Sequence, residues 1–213
     1  MKVQSILGGP RGRFVEPADD RELVRAAQQG DETAFDALVR RHAGGLHRAV
    51  ARIVGDDSEA WDVVQVAFLR AWRSLGRYNP KWSFATWLYR IGTNLGIDLL
   101  RSRSSRERAH RAGSEHQLRI VGGGPSASEL ADRREADRVV SELAESLTPQ
   151  QRAAFILREV EGRETADVAA ILGCSPTTVR NHVCQARKVL RAEMERRYPE
   201  YLPAEMKRTS HEV

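Results

Sequence analysis

With 213 residues, a formal charge of +5, 41% hydrophobic residues and a pI of about 9.6, the chain has the make-up of one large or two small globular domains with an anionic partner. No apolar run after Met1 and Lys2 resembles a secretory leader and none reaches membrane-spanning length, so the expected setting is the cytoplasm, without membrane insertion. The cysteines are Cys174 and Cys184; they form no CxxC pair, and neither a disulfide nor a cysteine metal centre is expected.

Residues 1–19 read as an N-terminal tail, and a helical domain is expected over 20–103. Asp20 leads into RELVRAAQQ, Gly30 and Asp31 separate it from ETAFDALVRRHAGGLHRAVARIV, and Gly55 to Ser58 turn the chain into EAWDVVQVAFLRAWRSLG. In this third helix Val63, Val64, Ala67, Phe68 and Ala71 share the core side. Asp62, Gln65, Val66, Leu69 and Arg73 lie opposite, and two exposed aliphatics ringed by polar groups have the pattern of a protein-docking patch. A loop follows, and Ser83 caps FATWLYRIGTNLGIDLLRSR. Phe84, Trp87, Leu88, Ile91, Leu95 and Leu99 form its core stripe; Thr86, Tyr89, Arg90, Thr93, Ile97 and Arg101 are expected to point outward. Asp98 is expected on the core side, paired with an arginine. The loop holds Tyr78, Asn79, Lys81 and Trp82, and aromatics beside cations suit single-stranded DNA, whose bases stack on rings while phosphates meet charge. Trp87 reads as core; Trp82 fits either a core or a stacking role.

Residues 104–128 are rich in Ser, Arg and Gly without an apolar period, the composition of a flexible linker. Gly122 to Pro125 lack the Lys-Ser/Thr ending of a phosphate loop. A second helical domain is expected over 129–195, with a polar tail over 196–213. Leu130, Val139, Val140 and Leu143 fall on its first helix, and Thr148-Pro149-Gln150-Gln151 is a capping box that opens QQRAAFILREVEG. TADVAAILGCS is a short helix ended by Gly173, with Glu164 at its N-cap position, and Ser175-Pro176 starts another: a helix-turn-helix. In such units the N-terminal part of the second helix lies nearest the bases. There Val179, Val183, Ala186 and Leu190 make a narrow apolar stripe. Thr177, Asn181, Cys184, Gln185 and Lys188 lie opposite, flanked by Arg180 and Arg187. Asn, Gln and Arg make paired hydrogen bonds to base edges in the major groove. Arg180, Arg187, Lys188 and Arg191 read as unneutralised, since no acid occurs between Asp167 and Glu193.

The fold class is therefore all-α: two helical domains joined by a flexible linker, the second with a helix-turn-helix. His42, His47, His110, His116, His182 and His211 have no metal spacing and the acids lie on helix surfaces, so no catalytic residue, metal or cofactor is expected. A metal-dependent nuclease would need clustered acids, for which Asp56 and Asp57 are the nearest candidates.

DVVQVAFLRAWR, SFATWLYRIGTNLGIDLLR, LTPQQRAAFILREVEG and ADVAAILGCSPTTVRNHVCQARKVLR together, in that order, resemble bacterial RNA polymerase sigma factors of the extracytoplasmic-function (ECF) group. The resemblance implies a promoter-recognising subunit, not an enzyme. Asp62, Gln65, Val66, Leu69 and Arg73 would dock on the β′ clamp helices of core RNA polymerase, and the β flap would be a second contact. Tyr78, Asn79, Lys81, Trp82, Thr86, Arg90, Asn94 and Arg101 would hold the −10 element, with an unpaired base taken out of the stack into a pocket. Thr177, Arg180, Asn181, Cys184, Gln185, Arg187 and Lys188 would read the −35 element as duplex. An anti-sigma factor is a further implied partner. Val66 stands where the family usually has an acid, and Asn181, His182 and Gln185 where Ser, Arg and Arg are frequent, which implies a −35 sequence of its own. The alternative is a helix-turn-helix regulator acting without being a polymerase subunit; it would need a receiver domain with strands, and no strand pattern is present.

Overall fold

The structure is a computed structural model that describes residues 19–111, 139 and 142–199. Its elements are α1 (Asp20–Gln28), α2 (Glu32–Val54), α3 (Asp57–Ser74), a 3₁₀ turn (Leu75–Arg77), α4 (Phe84–Arg111), α5 (Pro149–Phe155), a π turn (Ile156–Val160), α6 (Thr165–Leu172) and α7 (Pro176–Arg197). No strand occurs among the described residues.

The helix starts follow from side-chain caps, which satisfy amide groups that have no partner inside the helix. The Asp31 carboxylate accepts from the N–H groups of Thr33 and Ala34 at 2.9 and 3.2 Å, and Asp56 accepts from Glu59 at 2.9 Å. Thr148 and Gln151 form the expected box, each side chain accepting the other's backbone N–H at 3.3 and 3.1 Å. Ser175 accepts from Thr178 at 3.1 Å ahead of Pro176. Glu164 holds the N-cap position of α6 without a side-chain bond, and α6 begins at Thr165.

α1 to α4 form a bundle. Asp20 pins α1 to α2 through Arg41 at 2.6 Å and His42 at 2.7 Å. α2 and α4 approach closely at Gly92, where an added Cβ would lie 2.8 Å from Leu46 Cδ1. All five residues expected on the core side of α3 are buried, and so are Val179, Val183 and Ala186 of α7.

The second helical unit does not stand apart. Ala154, Leu157, Val168, Ile171 and Val183 belong to the same apolar cluster as Leu46, Val50 and Leu88. Much of the outward face expected for α4 is therefore buried: Tyr89 is 5% exposed, Thr93 0% and Ile97 4%, with Ile97 packed against Ile53, Ala153 and Ile156. Thr86 is buried as well, its hydroxyl 2.9 Å from that of Ser83. Arg90 and Arg101 are exposed as expected. In the expected core stripe Phe84 and Leu88 are buried, while Trp87, Ile91, Leu95 and Leu99 are half-buried. Asp98, expected on the core side, is exposed, though it does pair with Arg101 at 3.5 Å.

Two boundaries and one helix interior also differ. α4 runs on to Arg111, into the stretch expected as linker, and α7 continues to Arg197. The helix opened by Thr148 widens after Phe155, where the N–H of Glu161 donates to the Ile156 carbonyl at 2.9 Å, five residues back. Val139 and Leu143 are helical and buried. Leu130, Val140, residues 112–128 and residues 200–213 lie outside the described residues.

Candidate nucleic-acid interface

α7 presents one side to the core and the other to solvent. Thr177, Arg180, Asn181, Cys184, Gln185, Arg187 and Lys188 are all exposed, opposite the buried Val179, Val183 and Ala186. The first turn is held by the Ser175 cap, so Thr177, Arg180 and Asn181 project from a fixed helix N-terminus. Arg180 donates to Thr177 Oγ1 at 3.1 Å, which lays the guanidinium along the helix. The groove beside this face has five cations in its lining, Arg158, Arg180, Arg187, Lys188 and Arg191, against one acid, Glu159. That much cationic lining favours a polyanion.

Two of the four cations expected to be free on this helix are paired. Arg187 donates to Glu159 at 2.5 Å, a carboxylate delivered by the π turn, and Arg191 meets Glu195 at 3.1 Å. The Glu159 hydrogen bond also raises the Arg187 guanidinium above its ordinary range. Glu159 lies 28 positions before Arg187, a pairing that no helical spacing signals.

A second exposed constellation is the loop before α4. The Asn79 side chain accepts from the Lys81 N–H at 2.9 Å, and the Tyr78 hydroxyl donates to the Trp82 carbonyl at 2.6 Å. These bonds shape the loop so that Trp82 stays exposed with the Lys81 ammonium 5.8 Å from its ring centre. Tyr78 packs its ring 5.3 Å from Trp87, which is half-buried, and burial raises the Tyr78 phenol above its ordinary range. Trp82 thus takes the solvent-facing alternative, while Trp87 takes the packed one. Asn94 is exposed on the following helix.

The third surface is on α3. Asp62, Gln65, Val66, Leu69 and Arg73 are all exposed, with Val66 at 40% and Leu69 at 49%. The patch is wider than expected: Trp72 is exposed beside Leu69, and the two line a hollow with Phe35 and Phe68. Trp61 is also exposed and stacks on His47 with ring centres 4.1 Å apart.

Sequence reasoning missed a fourth group, at the junction of the two helical units. Arg152 is 4% exposed, and its Nε and Nη2 donate to the Arg52 carbonyl at 3.3 and 3.2 Å. That carbonyl lies in the last turn of α2, where backbone acceptors lack partners and a cation is favoured. Arg103 donates to the Val54 carbonyl of the same helix end at 3.0 Å. Burial pulls the Arg152 guanidinium down to about 10, against a smaller opposing pull from Glu145. The Arg52 side chain meets Glu161 at 2.5 Å, and Arg163 lies over the Tyr89 ring at 3.6 Å. One signal was present: Arg152 is four residues before Ile156, on the apolar side of its helix. No group of three or more His, Cys, Asp or Glu that could hold a metal occurs among the described residues.

Comparison with known proteins gives these surfaces a setting. Residues 38–106 match the model of Sigma-70 region 2 and residues 137–190 that of Sigma-70, region 4. The chain is 35% identical over 179 residues to the RNA polymerase sigma-H factor of Pseudomonas aeruginosa, covering 80% of this chain and 91% of the relative. It is 32% identical over 180 residues to the ECF RNA polymerase sigma-E factor of Escherichia coli K12, covering 82% and 94%. Among solved structures, CnrH in complex with the cytosolic domain of CnrY matches with a TM-score of 0.60 and 28% identity, covering 84% of this chain and 98% of that one. RpoE bound to the anti-sigma factor NepR from Bartonella quintana matches at a TM-score of 0.57 and 22% identity over 76% and 96%, a likeness of fold.

Proposed function

The chain belongs to the RNA polymerase sigma factors of the ECF group, and from that premise we propose how its surfaces divide the work of starting transcription. As a sigma factor it binds core RNA polymerase, recognises the −10 and −35 promoter elements and promotes initiation. The α3 patch of Asp62, Gln65, Val66, Leu69 and Arg73 docks on the β′ clamp helices, with the β flap as the second contact. Tyr78, Asn79, Lys81, Trp82, Thr86, Arg90, Asn94 and Arg101 form the −10 surface, where exposed Trp82 stacks an unpaired base and the cations meet phosphate. Thr86 acts there from beneath, by holding Ser83 and the start of α4. Thr177, Arg180, Asn181, Cys184, Gln185, Arg187 and Lys188 read the −35 duplex from the major groove. The protein performs no covalent chemistry, works in the cytoplasm, and is held in check by an anti-sigma factor, as the solved partners of its structural relatives suggest by analogy.

The observation that carries this reading is the exposure of all seven α7 residues opposite a buried Val179, Val183 and Ala186 stripe. A helix that packs on one side and offers Asn, Gln and Arg on the other is built to be read against a groove. The test is run-off transcription with purified core polymerase on a pool of promoter fragments, with and without the protein. Initiation should depend on the protein and be lost when Asp62→Arg and Leu69→Arg are combined. Sequence-specific duplex binding without any core-dependent initiation would replace this reading with that of a free-standing regulator.

A further inference from the structure

We propose that residues 11–15 of this chain, RGRFV, lie across the hollow between α2 and α3, with Phe14 seated on its aromatic floor, and so screen the face of α3 that docks on polymerase. This rests on the assignment of the α3 patch above.

The hollow is built from few residues. Phe35 and Phe68 form its floor, both buried, with ring centres 6.3 Å apart at 84°. Trp72 leans on Phe35 at 4.8 Å and makes an exposed apolar wall with Leu69. Glu32 and Asp36 stand exposed at the rim, and among the described residues that line the hollow there is no cation. Asp36 meets Arg40 at 4.0 Å, an exposed and therefore weak pair that an incoming cation can replace. An open aromatic hollow rimmed by acids fits an apolar side chain flanked by arginine. The ring is buried on the floor, and a guanidinium both pairs with carboxylate and lies over an aromatic face.

The chain carries such a segment close by. Residues 1–15 contain Lys2, Arg11 and Arg13 and no acid, and Arg11 and Arg13 bracket Gly12 just before Phe14 and Val15. The chain enters the bundle at Asp20, which is held by Arg41 and His42 of α2. His42 follows Phe35 by seven residues, two turns on the same side of α2, or about 10 Å along the axis. Phe14 precedes Asp20 by six residues, which span up to about 20 Å. The hollow is therefore within reach of Phe14. A segment tethered this closely is present at an effective concentration of about a millimolar, so a weak contact suffices to keep it seated.

Screening follows from a shared residue. Leu69 lines the hollow and also belongs to the docking patch, with Gln65 one turn before it on α3. A segment in the hollow covers Leu69, and polymerase has to displace it to reach the patch.

The test uses the full chain labelled with 5-fluorotryptophan, the Trp72 fluorine signal being assigned with Trp72→Phe. Phe14→Ala removes the seated ring without touching the bundle. It should move the Trp72 signal, leave those of Trp82 and Trp87 in place, and tighten binding to core polymerase, about tenfold if nine in ten parent molecules are covered. Arg13→Glu should do the same, and adding Asp36→Arg to it should restore both parent values. An unmoved Trp72 signal in Phe14→Ala would overturn the seating; if that signal then broadens on addition of core polymerase, the hollow belongs to polymerase instead. A parent Trp72 signal that changes on dilution would put the segment of a second copy in the hollow and overturn the intramolecular contact. A moved signal with unchanged affinity for core would overturn the screening. The fluorine readings need no polymerase, so failure of the sigma-factor reading appears separately, as no binding of core by parent or variant.

Discussion

Arg187 carries a tethered charge. Its bond to Glu159 at 2.5 Å occupies a guanidinium that the −35 reading needs for phosphate or a base edge. An exposed pair of this kind is weak, which lets DNA compete for it. Glu159→Gln should therefore strengthen duplex binding by roughly two- to fivefold and make the salt dependence steeper by about one released counterion. A salt titration of binding checks both; an unchanged slope would mean that Arg187 faces solvent in the complex. Arg152 offers a second residue-scale test. Burial lowers it to about 10, so at neutral pH folded and unfolded chains both carry its charge. Above about 10, and below the ordinary guanidinium range, the unfolded chain keeps a proton that the folded chain gives up. Its contribution to stability therefore rises with pH across that window. Denaturant midpoints of parent and Arg152→Met, compared at about pH 9 and about pH 11, should shift in the parent's favour at the higher pH.

Element by element, the chain announces its helices because each start carries a chemical cause that is local in sequence. The Thr148 box is the clearest: both of its hydrogen bonds form, and Pro149 follows at the first helical position. Thr148→Ala should lower unfolding stability by about 1 kcal/mol, read as a lower thermal midpoint with the same secondary structure. The π turn was not legible. Nothing in ILREV marks the slip from four-residue to five-residue hydrogen bonding. Yet this turn delivers Glu159 to Arg187 and Glu161 to Arg52, so a feature without a sequence signal positions two ion pairs. The exposure of Asp62, Gln65, Val66, Leu69 and Arg73 on α3 was legible because the core and solvent sides of the helix separate cleanly, whereas Trp72, exposed beside them with its ring centre 4.8 Å from that of Phe35, was not.

For the whole molecule the outward stripe of α4 is the instructive failure. Periodicity places Tyr89, Thr93 and Ile97 on a different side of α4 from Phe84 and Leu88, yet all five are buried, Ile97 against Ile53 of α2 as well as against Ala153 and Ile156. It cannot say whether what lies beyond is water or another helical unit. Two mixed polar and apolar faces, each tolerable in solvent, meet across a long sequence separation. The exposure of the candidate site was more legible than this packing, because its residues were picked out by side-chain chemistry and helix face rather than by partners. Arg52 shows what that arrangement means for heredity. It holds the second unit with both its side chain and its backbone carbonyl, and a carbonyl is the same in every residue. A substitution at Arg52 deletes one grip and leaves the other. Among randomly mutated copies, changes at Arg52 and at Glu161 should behave alike, because each deletes the same ion pair, whereas a change at Arg152 removes the grip on the carbonyl.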